Sequence, residues 1–302
     1  MDNVPLQTSS QRRLIYFWPW LAVLIVLLFT GFIRFRLLDI PLERDEGEYA
    51  YAGQLILQGI PPYELAYNMK LPGTYFAYAL GMEVFGQTIA GIHLTLLAVN
   101  SLTIIFVFLL GRKLFGVISG LVACATYGIL SVSPAVLGMA AHANHFVVLF
   151  AVPATLFLWR ACESGRLPIL FFSGLLYGFA FLMKQQGICF CLFGSAFLVW
   201  CEMQKKPIAW HGFIKKSFYF GFGMALPFGL TCLYLVFAGV FSKFWFWTFA
   251  YAGSYAARES AWDGIQSLDA YLQEKSAVYV GFWILAAVGL LLAFRNKVIQ
   301  IK

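Results

Sequence analysis

The 302 residues are 61% hydrophobic with a mean hydropathy of +0.77, and this composition excludes an ordinary soluble globular domain. Only 12% of the residues are charged, and the formal net charge is +7 at pH 7. In so apolar a chain, the excess of Lys and Arg indicates which segments face the cytoplasm, and it is not a sign of nucleic-acid binding. We therefore expect a polytopic membrane protein whose partner is the lipid bilayer and which binds no nucleic acid.

Apolar runs are spaced along the whole chain, and about 20 residues of helix cross a hydrocarbon core of about 30 Å. They predict an all-α polytopic membrane protein with about eight transmembrane helices. The predicted spans are residues 14–33, 88–110, 114–132, 145–161, 167–183, 188–201, 218–240 and 276–294. Residues 1–302 are expected to form a single transmembrane domain.

Two long connections are expected on the outer side, residues 34–87 as a first external loop and residues 241–275 as a second. In the first loop, apolar residues recur at helical spacing over residues 46–58, which predicts a short amphipathic helix. Residues 71–85 are apolar but begin with Pro-Gly and include an acidic residue. They predict a helix that lies in the membrane interface and does not cross it.

Charge supports this topology. The predicted inner segments hold 13 of the 21 Lys and Arg residues, but only 3 of the 14 Asp and Glu residues. Basic residues favour the cytoplasmic side, so both termini are expected in the cytoplasm. Counting residues 71–85 as a span would invert every later segment and remove this bias. We expect a multi-pass protein of the plasma (inner) membrane.

The densest group of charges, Glu43-Arg44-Asp45-Glu46-Gly47-Glu48, comes soon after the first span. A carboxylate at that place can stay ionised near lipid and act as a base on a lipid-borne substrate. Asp45 also has two other interpretations, as part of a solvated loop or as the cap of the following helix. Capping and catalysis can coexist, so Asp45 is the first candidate catalytic residue.

Other polar residues at the predicted outer ends are candidates for substrate binding. Lys70 and Lys184 could each bind an anion or serve as an interfacial anchor. His142 and His145 are spaced to hold a metal on one helix face, but without a nearby fixed carboxylate they more often cap and hydrogen-bond. The aromatic residues of 241–255 either form an interfacial belt or bind the faces of sugar rings.

The order of these motifs resembles the GT-C class of membrane glycosyltransferases, and more narrowly the protein O-mannosyltransferase and aminoarabinose transferase family. The motifs are Arg44-Asp45-Glu46-Gly47-Glu48-Tyr49-Ala50, Lys70-Leu71-Pro72-Gly73 and Arg112-Lys113-Leu114-Phe115-Gly116. The resemblance extends over about residues 14–295. It implies sugar transfer from a polyprenyl-phosphate donor on the extracytoplasmic side, with Asp45 as the base and Lys70 facing the donor phosphate.

Three features depart from that family. Members often carry a second acidic residue where the chain enters the fourth span, and the matching position here is Asn144. Aminoarabinose transferases place Arg where this chain has Glu48, which argues against that substrate. Members are commonly longer, so a chain that stops after the eighth span is expected to be a short or truncated form.

A sugar phosphate already carries a good leaving group, so transfer needs a base for the acceptor hydroxyl and cations for the departing phosphate. We predict an inverting glycosyltransferase that moves a hexosyl or pentosyl group to a glycan, lipid or protein acceptor. Asp45 is the predicted base, and the predicted substrate-binding residues are Arg44, Glu46, Tyr49, Lys70, His142, Asn144 and Lys184. The cofactor stays open between none and a divalent cation.

Two other functions stay open. A lipid-linked-sugar transporter or flippase would need charges near the middle of its spans, or internal repeats, and neither is seen in the sequence. A non-catalytic membrane assembly partner is compatible with the missing second acid and the short length.

Overall fold

The computed structural model describes residues 9–205, 207, 209–257 and 260–295, and within these ranges the regular structure is helical without strands. This confirms the expected all-α fold. The helices are α1 Ser9–Arg36, α2 Arg44–Leu57, α3 Gly73–Phe85, α4 Ile89–Phe115, α5 Val117–Leu130, α6 Ala143–Ser164, α7 Leu167–Met183, α8 Ile188–Met203, α9 Trp210–Phe237, α10 Phe241–Trp245, α11 Ala252–Ala256 and α12 Ala261–Arg295. The outermost parts of both predicted cytoplasmic ends, residues 1–8 and 296–302, lie outside the described residues.

Five helices of the described chain are long and apolar enough to cross a membrane by length and composition. They are Phe17–Arg36, Ile89–Phe115, Ala143–Ser164, Gln185–Met203 and Trp210–Phe237. Shorter apolar helices occupy the other three predicted spans, at Val117–Leu130, Leu167–Met183 and Tyr279–Leu292. A helix therefore lies at each predicted span, because a long apolar run can satisfy its backbone hydrogen bonds in lipid only as a helix or a closed barrel.

Two predicted loops contain more helix than expected. The inner connection between the predicted spans 188–201 and 218–240 is helical at both ends, because α8 continues to Met203 and α9 begins at Trp210. The second external loop, predicted over residues 241–275, contains α10, a π-helical segment Phe246–Tyr251, α11 and the first part of α12. In the inner connection, and at the start of α12, the helices continue beyond the apolar runs that indicated them, whereas α10, the π-helical segment and α11 are separate short elements.

Hydrogen bonds join several segments at one end of the bundle. We call this end, which contains the end of α1, the start of α3, the segment between α5 and α6 and the end of α7, the site end. The Arg34 guanidinium, at the end of α1, donates to the carbonyl oxygens of Ser131 and Gly138 at 2.7 and 3.1 Å. The Thr74 hydroxyl of α3 donates to the carbonyl oxygen of Met183 at the end of α7, at 2.7 Å. These hydrogen bonds fix the site end, and α2 and α3 pack against it.

The predicted helix at residues 71–85 is observed as α3, and one side of it packs into the bundle. Tyr75, Tyr78 and Met82 are buried in the largest apolar core, together with Tyr49 of α2. Gly73 permits the close approach of α3 to α7, because a side chain there would collide with the Leu182 backbone. Burial of this face gives the loop after α2 a rigid support.

The topology predicts that the site end faces outward. In a Cys189→Ser background, which removes an exposed native thiol, Glu64→Cys should react with a membrane-impermeant maleimide added to intact cells. Pro207→Cys, at the other end of the bundle, should react only after permeabilisation. Labelling of Pro207→Cys but not Glu64→Cys in intact cells would contradict this orientation.

Candidate active site

The acidic stretch forms the first turn of α2, and Glu43 caps that helix. The Glu43 carboxylate accepts a hydrogen bond from the Asp45 backbone N–H at 2.8 Å, and the Glu46 carboxylate accepts from the Glu43 N–H at 2.9 Å. This reciprocal pattern is a capping box built with Glu where Ser or Thr is usual. The prediction that Asp45 caps the helix is wrong, and its side chain points elsewhere.

The Asp45 carboxylate is surrounded by cationic and imidazole groups. Lys70 Nζ lies 2.8 Å from Oδ2, Arg44 Nη2 lies 3.3 Å from Oδ1, and His142 Nε2 lies 3.6 Å from Oδ2. Burial alone would raise the pKa of Asp45, but the hydrogen bond and charge of Lys70 outweigh it and hold the pKa below its usual value. Asp45 is therefore ionised at neutral pH.

Lys70 is held from three sides. Besides Asp45, its ammonium lies 3.5 Å from Glu48 Oε2 and 4.6 Å from the centroid of the Tyr49 ring. Burial acts to lower the pKa of Lys70, and its bonds to Asp45 and Tyr49 reverse this, so that the pKa is raised. The buried Tyr49 ring thus supports a fixed, fully charged ammonium through a cation–π contact.

Glu48 belongs to the acidic stretch noted in the sequence, but it was not among the predicted site residues. Its carboxylate accepts hydrogen bonds from the Tyr75 hydroxyl, at 2.9 Å, and from the Asn68 side-chain amide. Both donors fix the carboxylate that faces Lys70. Glu48 lies one turn after Asp45 on α2, and that helical spacing is the signal by which it could have been found.

A second ammonium enters from α7. Lys184 Nζ donates to Asn144 Oδ1 at 3.0 Å, so the residue that stands in place of the family's second acid holds a cation. Burial, followed by the charge of Lys70, lowers the pKa of Lys184. The fold therefore brings together predicted residues from four separate segments. These are the start of α2, the loop before α3, the start of α6 and the end of α7.

The two histidines near the start of α6 do not act as a pair. His142 precedes α6 and faces the acids of α2, whereas His145 is buried one turn further on. We expected no fixed carboxylate near these histidines. That expectation is wrong, because the carboxylates of Glu43 and Asp45 lie near His142. Burial lowers the pKa of His142, more than the charge of Asp45 raises it, so His142 is neutral at neutral pH.

Glu46, predicted to bind substrate, lies in the interior with a side chain 1% exposed. Its carboxylate accepts from the Ala141 backbone N–H and lies 3.4 Å from His93 Nε2 of α4. Burial would raise the pKa of Glu46, and the contacts with His93, Ala141 and Glu43 lower it overall. Both oxygens are engaged within the protein, which fastens α2 to α4 and to the segment before α6.

One group of described side chains could supply metal ligands. Ligand atoms of Glu43, Asp45 and His142 lie within 4.8 Å of one another. Carboxylates and a neutral imidazole suit several divalent cations. The Lys70 ammonium already contacts Asp45 Oδ2, so a metal bound there would compete with Lys70.

The fold and site define a polytopic helical membrane protein with an ionised carboxylate and two ammonium groups at one end of its bundle. A family model described as "Dolichyl-phosphate-mannose-protein mannosyltransferase" matches residues 70–215. This match includes Lys70, His142, Asn144 and Lys184 but begins after Asp45. The comparison confirms the resemblance to GT-C class membrane glycosyltransferases.

Curated relatives from two strains of Pseudomonas aeruginosa are named "Undecaprenyl phosphate-alpha-4-amino-4-deoxy-L-arabinose arabinosyl transferase". Each is 29% identical to this chain over 158 residues, which cover 46% of this chain and 27% of the relative. The match thus spans about a quarter of the relatives' length. No solved structure matches the chain.

Proposed function

We propose that this protein is a glycosyltransferase that moves a sugar from a polyprenyl-phosphate donor to an acceptor hydroxyl at the extracytoplasmic face of the plasma (inner) membrane. The observation that carries the proposal is the contact of Asp45 with Lys70 at the site end, where the charge of Lys184 also acts on both groups. A base and two phosphate-binding cations are the groups that such a transfer requires. The motif around Asp45 and the family match over residues 70–215 support the same function.

An apolar cavity whose lining adjoins Lys70 and Lys184 along the chain supports a lipid-linked donor. It has a volume of about 480 Å³ and lies between α3, α4, α6 and α7. Its lining includes Gly73, three residues after Lys70, and Met183, directly before Lys184. A polyprenyl phosphate is an apolar chain with an anionic head, so an apolar cavity whose lining lies within three residues of two lysines along the chain suits both of its parts.

The chemistry assigns one role to each charged group. Asp45 accepts the proton of the acceptor hydroxyl as its oxygen bonds to the anomeric carbon of the donor sugar. The bond from that carbon to the phosphate oxygen breaks, and the phosphate leaves with the electron pair. Lys70 and Lys184 stabilise its charge, with Arg44 at the rim. Attack opposite the leaving group inverts the anomeric centre.

Donor binding activates the base in this mechanism. While Lys70 is paired with Asp45, the ion pair lowers the pKa of Asp45 and weakens it as a base. A donor phosphate gives the Lys70 ammonium a second anionic partner. As Lys70 turns toward the phosphate, the pKa of Asp45 rises toward its ordinary value, so the base strengthens when substrate is present.

A divalent cation is a secondary part of the proposal. Glu43, Asp45 and His142 would hold it, and it would supply positive charge near the acceptor oxygen. Because Lys70 and Lys184 already provide cations, we propose that transfer proceeds without a metal.

The test is turnover of a panel of polyprenyl-phosphate sugars by the purified protein in lipid nanodiscs. Envelope extract from the source cells supplies the acceptor, and each reaction is run with and without EDTA. We expect sugar transfer from at least one donor, with EDTA causing no loss. Transfer that EDTA abolishes and Mg²⁺ or Mn²⁺ restores would contradict the metal-free mechanism, and no transfer from any donor by folded protein would contradict the function.

A further inference from the structure

A group of four aromatic side chains, Tyr67, Phe246, Trp247 and Tyr251, forms what we call the aromatic platform. Tyr67 stacks on Trp247 with ring centroids 4.6 Å apart and an interplanar angle of 16°. Phe246 and Tyr251 meet Trp247 edge-on at 5.0 and 5.1 Å. Tyr67 remains 61% exposed, so the face of its ring opposite Trp247 is open to a ligand.

Contacts within the protein hold the platform in place. Trp247 packs against the main apolar core, and the Tyr63 ring, on the segment that carries Tyr67, contacts Phe244 at 5.3 Å. An ion pair of 2.7 Å between Lys243 and Glu64 joins the same two segments of chain. Rings held in this way lose little conformational entropy when they bind a ligand.

The platform is directly linked to the candidate active site. Asn68, next to Tyr67, donates a hydrogen bond to Glu48, whose carboxylate faces Lys70. The Tyr63 hydroxyl donates to the Lys70 backbone carbonyl at 2.7 Å. The chain from Tyr63 to Lys70 therefore carries both the platform and a phosphate-binding cation, so a ligand on the platform lies beside the reacting groups.

The chemistry around the rings favours a sugar. Flat, partly exposed rings suit the apolar C–H face of a pyranose, and the exposed Glu64–Lys243 pair, which joins the two segments that carry the rings, gives a polar rim that suits its hydroxyls. An aromatic belt that contacts only lipid needs neither the cross-loop stacking nor this polar rim. We propose that the aromatic platform binds a saccharide ring of a substrate of the transfer, either the donor sugar or a glycan acceptor; this inference rests on the proposed function.

Saturation-transfer NMR on the protein in nanodiscs tests the inference with methyl pyranosides of glucose, mannose, galactose and N-acetylglucosamine as probes. At least one probe should receive saturation chiefly on the protons of one ring face. Tyr67→Ser and Trp247→Ser should each raise its Kd about two- to tenfold, and Tyr67→Phe should retain binding because it keeps the ring face. Trp210→Ser, at the opposite end of the bundle, is the matched control and should have no effect.

Absence of saturation transfer to every probe, or the same Kd in Tyr67→Ser as in wild type, would overturn the inference. Tyr67→Ser and Trp247→Ser proteins that bind sugars normally but insert poorly into phosphatidylcholine–phosphatidylglycerol vesicles would identify an interfacial belt instead. The proposed function is judged separately, because Asp45→Asn should keep saccharide binding while losing transfer. In transfer assays, a raised donor KM in Tyr67→Ser would assign the platform to the donor sugar and a raised acceptor KM to a glycan acceptor, whereas normal transfer with both KM values unchanged would refute the platform alone.

Discussion

Asp45→Asn should lower sugar transfer by about 10² to 10⁴-fold, while the protein still inserts and purifies as the wild type does. Asn has nearly the same size as Asp but cannot accept the proton of an acceptor hydroxyl. The helix start is preserved, because Glu43 and not Asp45 caps α2. A large loss can therefore be assigned to chemistry and not to unfolding. The measurement is the initial rate of transfer at saturating donor, with thermal unfolding recorded in parallel.

The controls follow from where the neighbouring acids lie. Asp39→Asn removes one negative charge from the same external segment at an exposed position, and it should leave the rate unchanged. Glu48→Gln keeps a side chain that can still bond Tyr75, and it should reduce transfer less than Asp45→Asn. Glu46→Gln is a poor control because Glu46 is buried against His93.

An Asp45→Asn enzyme with normal activity would remove Asp45 as the base, and equal losses in Asp45→Asn and Glu48→Gln would indicate a collective electrostatic role.

Lys70→Ala should weaken use of the donor by about tenfold to a hundredfold, because a hydrogen bond to a charged group contributes about 1.5–3 kcal/mol. Lys70→Arg should be affected less, since it keeps the charge. The readout is the apparent donor KM. Lys113→Ala is the matched control, because Lys113 also forms a 2.8 Å pair with a carboxylate, that of Glu163, but at the opposite end of the bundle. An unchanged donor KM in Lys70→Ala would mean that Lys70 only anchors the loop.

Lys70→Ala should also change the pH dependence of kcat/KM. The ion pair with Lys70 keeps the pKa of Asp45 low against the effect of burial, so removing the ammonium should raise that pKa. Activity that needs ionised Asp45 is lost as the pH falls through this pKa. The acid limb of kcat/KM should therefore move to higher pH in Lys70→Ala and stay in place in Lys113→Ala. A shift to lower pH would contradict the assignment.

The helices could be predicted from the sequence because the signals for them are local. Each predicted span is a run of apolar residues, α2 has apolar residues at helical spacing, and α3 is an apolar run that begins with Pro-Gly. Asp45 and Lys70 could also be selected, since each is a charge set beside apolar sequence. Lys70 Nζ lies 2.8 Å from Asp45 Oδ2, so two motifs that are 25 residues apart in the sequence form one site.

The remaining contacts of the site could not be predicted, because they depend on how distant segments pack. The sequence predicted that Glu46 binds substrate, yet its side chain is buried because α4 brings His93 and the segment before α6 brings the Ala141 N–H. The capping role of Glu43 was missed because Glu is not a preferred residue at that position. The contact between Lys184 and Asn144 required the end of α7 to lie beside the start of α6.

The most direct measurement is the release of free polyprenyl phosphate from a lipid-linked sugar donor in nanodiscs, with wild-type, Asp39→Asn and Asp45→Asn proteins compared side by side. The donor is the best substrate of the panel, and acceptor is present in excess. Rapid acceptor-dependent release by wild type and Asp39→Asn, with release by Asp45→Asn at least about a hundredfold slower, is the predicted result. Equal release by all three proteins, or none by wild type, would contradict a transferase that uses Asp45 as its base.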